Sequence, residues 1–183
     1  MSEAELDELV RRAQSRNLEA LGQIYDLLYD RVYRYLLAQV HNQHLAEDLA
    51  SQVFVDVMES IGRFKPERSG SFASWVFRIA RNDVIDYRRR QQRRPTTDLD
   101  AAGEMADQHA EPGDQVVRAI QAEQAWTALE ALTDEQRQVV LLRFGAELRT
   151  DEVASVMKKS VGAVKVLQFR AMQTLKGVMG GVA

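Results

Sequence analysis

The stretch that decides the fold is Ser71–Arg94, SFASWVFRIARNDVIDYRRRQQRR, which carries one aromatic face and one cationic face at helical spacing. One side of the helical wheel collects Phe72, Trp75, Val76, Ile79 and Tyr87, and another side collects Arg78, Asn82 and Arg89. Seven arginines stand in this stretch, although the whole chain has a net charge of −3. The pattern predicts a helix that packs through its apolar face and offers its basic face to a polyanion.

Composition excludes several classes of protein. The 183 residues suffice for one ordinary domain or two small ones, and 45% hydrophobic with 28% charged residues is typical of a globular chain. Cysteine is absent, which removes disulfides, thiolate metal sites and cysteine nucleophiles, and fits a reducing compartment. No stretch approaches the roughly 20 apolar residues of a membrane span, and the acidic start MSEAELDELV is unlike a signal peptide. We expect a soluble, cytoplasmic protein without membrane insertion.

Charge alternates along the chain in four blocks. Residues 1–60 carry 5 basic and 11 acidic side chains, residues 63–94 carry 10 and 3, residues 95–135 carry 1 and 10, and residues 136–183 carry 8 and 3. Two basic blocks indicate two places for a polyanion, and the acidic blocks are left for a protein partner or for discouraging stray nucleic-acid contact. Solvated helix faces would give the same pattern.

Apolar periodicity predicts an all-α chain. Steps of three and four residues recur over residues 21–36 and 45–61, and Gly62–Gly70 interrupts them as a loop, after which Ser69 or Ser71 can cap the next helix. Sustained strand-like alternation is absent from the sequence. The segment PTTDLDAAGEMADQHAEPG has no basic residue and reads as an acidic, mobile linker. We therefore predict two small helical domains, residues 1–94 and 115–183, joined by a flexible acidic linker over residues 95–114.

The second predicted domain contains the spacing of a helix-turn-helix. Thr133 and Gln136 form a capping box, and Thr150 and Ser160 can cap the two helices that follow. Small Ala154 allows a close approach, and Val164 fixes the second helix against the first. Lys158 stands in the turn where glycine is common, at a cost of about 1 kcal/mol.

In such a module the second helix enters the major groove with its N-terminal residues at the base edges. The candidates for base edges are Ser160, Gly162, Ala163 and Lys165, and those for phosphates are Arg149, Thr150 and Arg170. Val166 and Phe169 point away from the packed side of this helix. An apolar pair is unusual on a surface that faces a DNA groove, and it suggests a protein-binding patch that overlaps the DNA-binding face. An αα-hairpin that serves only packing remains the alternative.

The first predicted domain has the features of a single-strand reader, since unstacked bases need a cationic track and aromatic platforms. Aromatic residues at helical spacing are more often core, so we assign Phe72 and Phe77 to the core and leave Trp75 open between the two roles.

The ordered set AEDLASQVF, RFKPERSGSFASWVFRIARN, RRR, an acidic linker, LTDEQRQVVLLRF and TDEVASVMKKSVGAVK closely resembles bacterial RNA polymerase sigma factors of the extracytoplasmic-function (ECF) group of the sigma-70 family. The resemblance covers roughly residues 18–94 and 115–177. It implies a non-catalytic specificity subunit, whose region 2 binds core polymerase and melts the minus-ten element and whose region 4 reads the minus-thirty-five element. It also implies that the acidic linker threads near the active centre and is displaced by growing RNA.

The resemblance also implies site residues and partners. Core-polymerase binding falls on Glu47, Asp48, Leu49, Gln52, Val53 and Phe54, which match the segment that docks on the clamp coiled coil of the largest subunit. Minus-ten DNA binding falls on Lys65, Arg68, Ser69, Trp75, Arg78, Asn82, Asp86, Arg88 and Arg89, and the loop over residues 65–71 matches a flipped-base pocket. The implied partners are core RNA polymerase, including its flap region, promoter DNA and an anti-sigma factor. No cofactor, metal or small-molecule substrate is expected.

One departure concerns the end of the second domain. Members of the family commonly carry more basic residues where this chain has Val166, Leu167, Phe169, Met172 and Gln173. Affinity for the upstream element is therefore expected to be modest.

Three other functions stay open. A plain helix-turn-helix regulator would explain residues 133–177 but not the Trp-Arg helix. A metalloenzyme would use His41 and His44 with Glu47 and Asp48, although two histidines at a helix start are far more often a solvated cap. A structural helical adaptor would tolerate changes to the arginines.

Overall fold

The computed structural model describes residues 3–65, 71–93 and 125–180, and within these ranges every regular element is helical. The all-α prediction is confirmed. The helices are α1 (Glu3–Gln14), α2 (Leu18–Val40), α3 (Gln43–Ser60), α4 (Phe72–Arg93), α5 (residues 125–130), α6 (Asp134–Val140), α7 (Thr150–Met157) and α8 (Val161–Gly180). A 3-10 turn, Ile61–Arg63, follows α3, and a π-helical turn, Leu141–Gly145, follows α6. The predicted linker over residues 95–114 lies outside the described residues.

Side-chain caps fix the helix starts where the sequence predicts them. The hydroxyl of Ser71 accepts a hydrogen bond from the backbone N–H of Ser74, and that of Ser160 accepts one from Ala163. Thr133 and Gln136 form the reciprocal capping box. The expected cap at Thr150 was wrong by one residue, because Arg149 is the extended residue before α7 and its backbone N–H binds the carboxylate of Glu152.

The first module, residues 3–93, is built on α2, α3 and α4. Its core includes Phe72 and Phe77, which are 1% and 0% exposed, as predicted. Helix α1 extends this core, and the side-chain amide of Gln14 donates to the carbonyls of Ile61 and Phe64 at 3.1 and 2.8 Å. These two hydrogen bonds hold the last turn of α1 against the turn that leads to α4.

The second module, residues 125–180, contains the predicted helix-turn-helix in α7 and α8. Lys158 ends α7 with φ 53° and ψ 45°, a left-handed conformation that usually selects glycine. Ala154 and Val164 are buried between the two helices, at 6% and 0% exposure. The strained turn and the close packing are both as expected from the sequence.

The two modules pack against each other in one continuous apolar core. At the centre of the contact the buried hydroxyl of Tyr35 donates to the side-chain carbonyl of Gln138 at 2.7 Å. The guanidinium of Arg31 donates to the carbonyl of Ala146. Burial lowers the pKa of Arg31, and the carboxylates of Glu147 and Glu152 oppose that change. No local sequence pattern indicated this contact, because its partners lie more than 100 residues apart.

Among the described residues, no helix is long and apolar enough to cross a membrane.

Candidate nucleic-acid interface

The outer face of α4 carries a row of polar side chains. Arg78, Asn82, Asp86 and Arg89 follow one another at steps of four, four and three, so they share one side of the helix. Asn82, Asp86 and Arg89 are exposed, and Arg89 lies 3.5 Å from Asp86 in a solvated ion pair. Such a pair contributes little to stability, so both side chains can be redirected to a ligand at small cost.

A cleft of about 230 Å³ opens where α4 begins. It is lined by Arg63, Phe64, Lys65, Ser71, Ser74, Trp75 and Arg78. Three cations surround two aromatic rings there, which is the combination that holds an unstacked base and its phosphate.

Trp75 forms one wall of this cleft. The ring packs against Phe64 at 5.2 Å and against Phe72 at 5.4 Å between centroids, and Trp75 is half-buried. The sequence left its role open between core residue and base platform. In the structure one part of the side chain joins the core and the rest lines the cleft, and the role of base platform stays a prediction.

Two other predicted minus-ten residues, Arg88 and Lys65, differ in their exposure. The guanidinium of Arg88 donates to the backbone carbonyl and the side-chain carbonyl of Gln39 at 2.9 and 3.0 Å, which ties α4 to the end of α2. Lys65 is exposed at the mouth of the cleft. Arg68 and Ser69 lie outside the described residues.

Arg78 joins the cleft to the second module. Its guanidinium donates to the hydroxyl of Ser155 on α7 at 2.7 Å. One edge of the predicted DNA face is therefore engaged by the second module in this arrangement.

Asp83 lies on α4 beside this row, close enough to Asp56 on α3 for the two carboxyl groups to interact electrostatically. Burial, together with the nearby charges of Asp56 and Asp86, raises the pKa of Asp83 to about 6, and Arg90 opposes this rise. Its Oδ2 atom is buried without a hydrogen-bond partner.

The predicted polymerase-binding residues divide by burial. Asp48 and Gln52 are exposed on α3, and Glu47 and Leu49 are half-buried beside them. Val53 and Phe54 are 0% and 4% exposed, so in this structure they support the surface from within the core.

A row of tyrosines on α2 borders this surface, and sequence reasoning did not single it out. Tyr25, Tyr29 and Tyr33 stack in succession, with centroids 4.9 and 6.1 Å apart, and Phe54 meets the edge of Tyr25 at 4.8 Å. The signal was present as tyrosine at every fourth residue.

The predicted minus-thirty-five residues gather around the start of α8. Ser160, Gly162, Lys165 and Arg170 are exposed, and Ala163 and Thr150 are half-buried. Arg149 lies 3.5 Å from Asp151 and 3.7 Å from Glu152, so its charge is partly compensated within the chain.

The alternative of a histidine metal site loses its geometric basis. His41 ends α2 in a left-handed conformation and stacks on Trp126 at 4.0 Å, whereas His44 belongs to α3, which Asn42 caps. The two histidines therefore do not share a helix. The described part of the chain contains no group of three or more potential metal-binding side chains.

Comparison with known families gives two matches in the same order as the two modules. The family described as Sigma-70 region 2 matches residues 24–94, and the family described as Sigma-70, region 4 matches residues 128–177. The matches together span about two thirds of the chain.

Similar curated proteins bear related names. The chain is 37% identical over 175 residues to "ECF RNA polymerase sigma factor BldN" of Streptomyces coelicolor. The alignment covers 94% of this chain and 65% of that protein. It is 29% identical to "ECF RNA polymerase sigma factor SigX" of Bacillus subtilis, with 86% and 82% of the two chains covered.

Solved structures share the fold. The CnrH chain in a complex with the cytosolic domain of CnrY is similar with a TM-score of 0.73 at 22% identity, over 96% of this chain and 97% of that one. The sigma factor RpoE of Bartonella quintana, solved with the anti-sigma factor NepR, is similar with a TM-score of 0.68 at 18% identity, over 87% and 96% of the two chains.

Proposed function

This chain belongs to the ECF group of the sigma-70 family, and we propose that it acts as an alternative sigma factor, which binds core RNA polymerase and directs promoter recognition, strand opening and transcription initiation. It contributes specificity and no bond chemistry of its own, and it acts in the cytoplasm, where the polymerase works. The observation that carries the proposal is the joining, in one chain, of a cationic aromatic cleft on α4 and a helix-turn-helix in α7 and α8.

The first module, assigned to residues 1–94, opens the minus-ten element. The row from Arg78 to Arg89 spans 11 residues, or about 16 Å of helix. That is about the length of five stacked nucleotides at roughly 3.4 Å each. The row therefore has the length to follow one strand of a minus-ten element while the cleft beside Trp75 receives a base taken out of the stack.

Polymerase binding uses the exposed edge of α3. Asp48 and Gln52 supply polar contacts, and Glu47 and Leu49 flank them. Electrostatic complementarity to a basic partner would raise the association rate and fix the orientation of the complex.

Promoter binding requires the two modules to separate. The minus-ten and minus-thirty-five elements lie about 25 base pairs apart, or about 85 Å of duplex. A compact chain of 183 residues has a radius of gyration of only about 16 Å. The contact through Tyr35 and Gln138 therefore belongs to a closed resting form, in which α7 also engages Arg78.

We further propose that an anti-sigma factor controls this chain. The RpoE chain, which shares the fold, was solved with one. Binding to the closed form would stabilise it by mass action and keep the polymerase surface and the DNA face apart from their partners.

The test is transcription in vitro from a library of promoter fragments, with purified core polymerase in the presence and absence of this chain. We expect defined start sites that depend on the chain and disappear in Asp48→Ala and Asn82→Ala. The matched controls Asp26→Ala and Gln92→Ala change exposed residues outside the proposed contacts and should keep full activity. Binding to duplex operators without polymerase, combined with no effect on initiation, would replace this proposal with the regulator alternative.

A further inference from the structure

The outward face of α8 combines positive charge with exposed apolar side chains. Val166 and Phe169 are 49% and 64% exposed, whereas Val164 and Ala171 on the opposite side are fully buried. Residues 153–183 contain no acidic side chain, and Lys165 and Arg170 stand beside the apolar pair. The positive charge of this surface therefore favours a polyanionic partner. Val166 and Phe169 can contribute to binding only if that polyanion presents an apolar group to them.

Duplex DNA has one such feature in its major groove, the C5-methyl group of thymine. Valine and phenylalanine carry only apolar atoms, so they gain nothing from the hydrogen-bonding edges of guanine, cytosine or adenine. A methyl group against them removes apolar surface from water on both sides of the contact.

The position of the pair along α8 suits this contact. Val166 and Phe169 lie five and eight residues from the start of the helix, or about 8 and 12 Å along its axis. Helical side chains tilt toward the N-terminus, so the ring of Phe169 reaches back into the part of the helix that would occupy a groove about 12 Å wide.

Gly162 opens the same face. A Cβ built on it would have only the Ser160 hydroxyl within 4 Å, at 3.9 Å, among the described residues outside its own helix backbone, so the space beside this first turn is open. Gly162, Lys165, Val166 and Phe169 fall within an arc of about 100° on the helix. The backbone at the first turn can thus approach the bases closely enough for the apolar pair to reach them.

We propose that Val166 and Phe169 are specificity-determining residues that read thymine methyl groups in the upstream promoter element. The inference rests on the proposed function and deepens it, because it names the base chemistry that this α8 selects. It also explains how a recognition helix with few cationic side chains can still bind its promoter element selectively.

The test uses the full chain with core polymerase on a promoter defined by start-site mapping. Thymines in the minus-thirty-five element are replaced by deoxyuridine, which lacks only the methyl group, on each strand in turn. Thymines in the spacer are replaced as the position control. Each methyl buried on binding should contribute about fourfold in affinity, so we expect a loss of about fourfold per contacted thymine in the element and no loss in the spacer.

A double-mutant cycle assigns the effect to the side chains. Phe169→Ala and Val166→Ala should weaken binding to the thymine promoter and show no further loss on the deoxyuridine promoter. Met172→Ala, exposed on the same helix but about 16 Å from its start, should keep the full response to deoxyuridine.

The outcomes separate the two proposals. Initiation that depends on the chain but ignores deoxyuridine overturns the methyl contact and leaves the sigma function standing. Equal losses for the Phe169 variant on both promoters also overturn it, and would indicate that the patch docks a protein partner such as an anti-sigma factor. A chain that supports no initiation with core polymerase overturns both.

Discussion

The hydroxyl of Tyr35 offers the sharpest test of the closed resting form, because one oxygen atom joins the two modules. Tyr35→Phe keeps the ring, which is fully buried against Phe77 in an edge-to-face contact at 5.6 Å. It removes the donor to Gln138, whose carbonyl is then buried without that partner. An unsatisfied buried acceptor costs about 1–3 kcal/mol. Water satisfies Gln138 once the modules separate, so the cost falls on the closed form alone.

A cost of about 2 kcal/mol lowers the ratio of closed to open molecules about 30-fold. The chain has no cysteine, so dyes can be placed uniquely on Glu59→Cys and Lys176→Cys, both exposed, one in each module. Energy transfer between the dyes is followed through a urea titration. With a urea dependence of about 2 kcal/mol per molar, the midpoint of module separation should fall by about 1 M in Tyr35→Phe.

The matched control is Tyr33→Phe, which removes a hydroxyl from the same helix but away from Gln138, and should leave the midpoint unchanged. An equal midpoint for Tyr35→Phe and the unchanged protein, with both still folded by circular dichroism, would refute the role of this hydrogen bond in closing the chain.

Three further predictions concern stability and strand opening. Lys158→Gly should raise the free energy of unfolding by about 1 kcal/mol, because glycine adopts the left-handed turn without strain. The control Lys159→Gly should lower the free energy of unfolding, since Lys159 pairs with Glu135 at 2.7 Å. A lower stability of Lys158→Gly than of the unchanged protein in urea denaturation would contradict this reasoning. The raised pKa of Asp83 means that the folded chain holds a proton that the unfolded chain releases, so stability falls as pH rises from about 4 through about 6. Asp83→Asn should remove this pH dependence and raise the free energy of unfolding at pH 8 by roughly 1 kcal/mol, after allowance for solvent screening at this half-exposed site. An unchanged pH profile of unfolding would exclude Asp83 as the source of the pH dependence. Trp75→Ala should slow open-complex formation tenfold or more, since stacking of one base contributes about 1–3 kcal/mol. Trp75→Phe should keep most of the rate. Equal permanganate reactivity of the melted thymines in these two variants would argue against a stacking role for Trp75.

The sequence predicted local structure well, because its signals are local. Ser71, Thr133 and Ser160 cap helices as their positions indicated, and Lys158 adopts the left-handed turn that its place between α7 and α8 required. These features depend on backbone groups a few residues away. The helix at Glu3–Gln14 was not predicted, because its stability comes from packing against α2 and from the bonds of Gln14 to a turn about 50 residues further on.

The site was predictable in its composition but not in its assembly. The arginines and Trp75 of α4 were identified from the sequence, whereas the contribution of Phe64 to the cleft depends on the turn that returns the chain to α4. Similarly, Val53 and Phe54 matched an interface segment, but only the fold reveals that both point inward. The bond between Arg78 and Ser155 spans 77 residues and two modules, and no local pattern encodes it.

We propose that one molecule of this chain reads two promoter elements at once, one through α4 and the other through α8. The most direct measurement tethers a hydroxyl-radical-generating iron chelate to Gln92→Cys or to Gln173→Cys, both exposed, and maps DNA cleavage in the polymerase–promoter complex. We predict cleavage centred near the minus-ten element from the first position and near the minus-thirty-five element from the second. Cleavage at the same place from both positions, or cleavage that does not require core polymerase, would contradict the account.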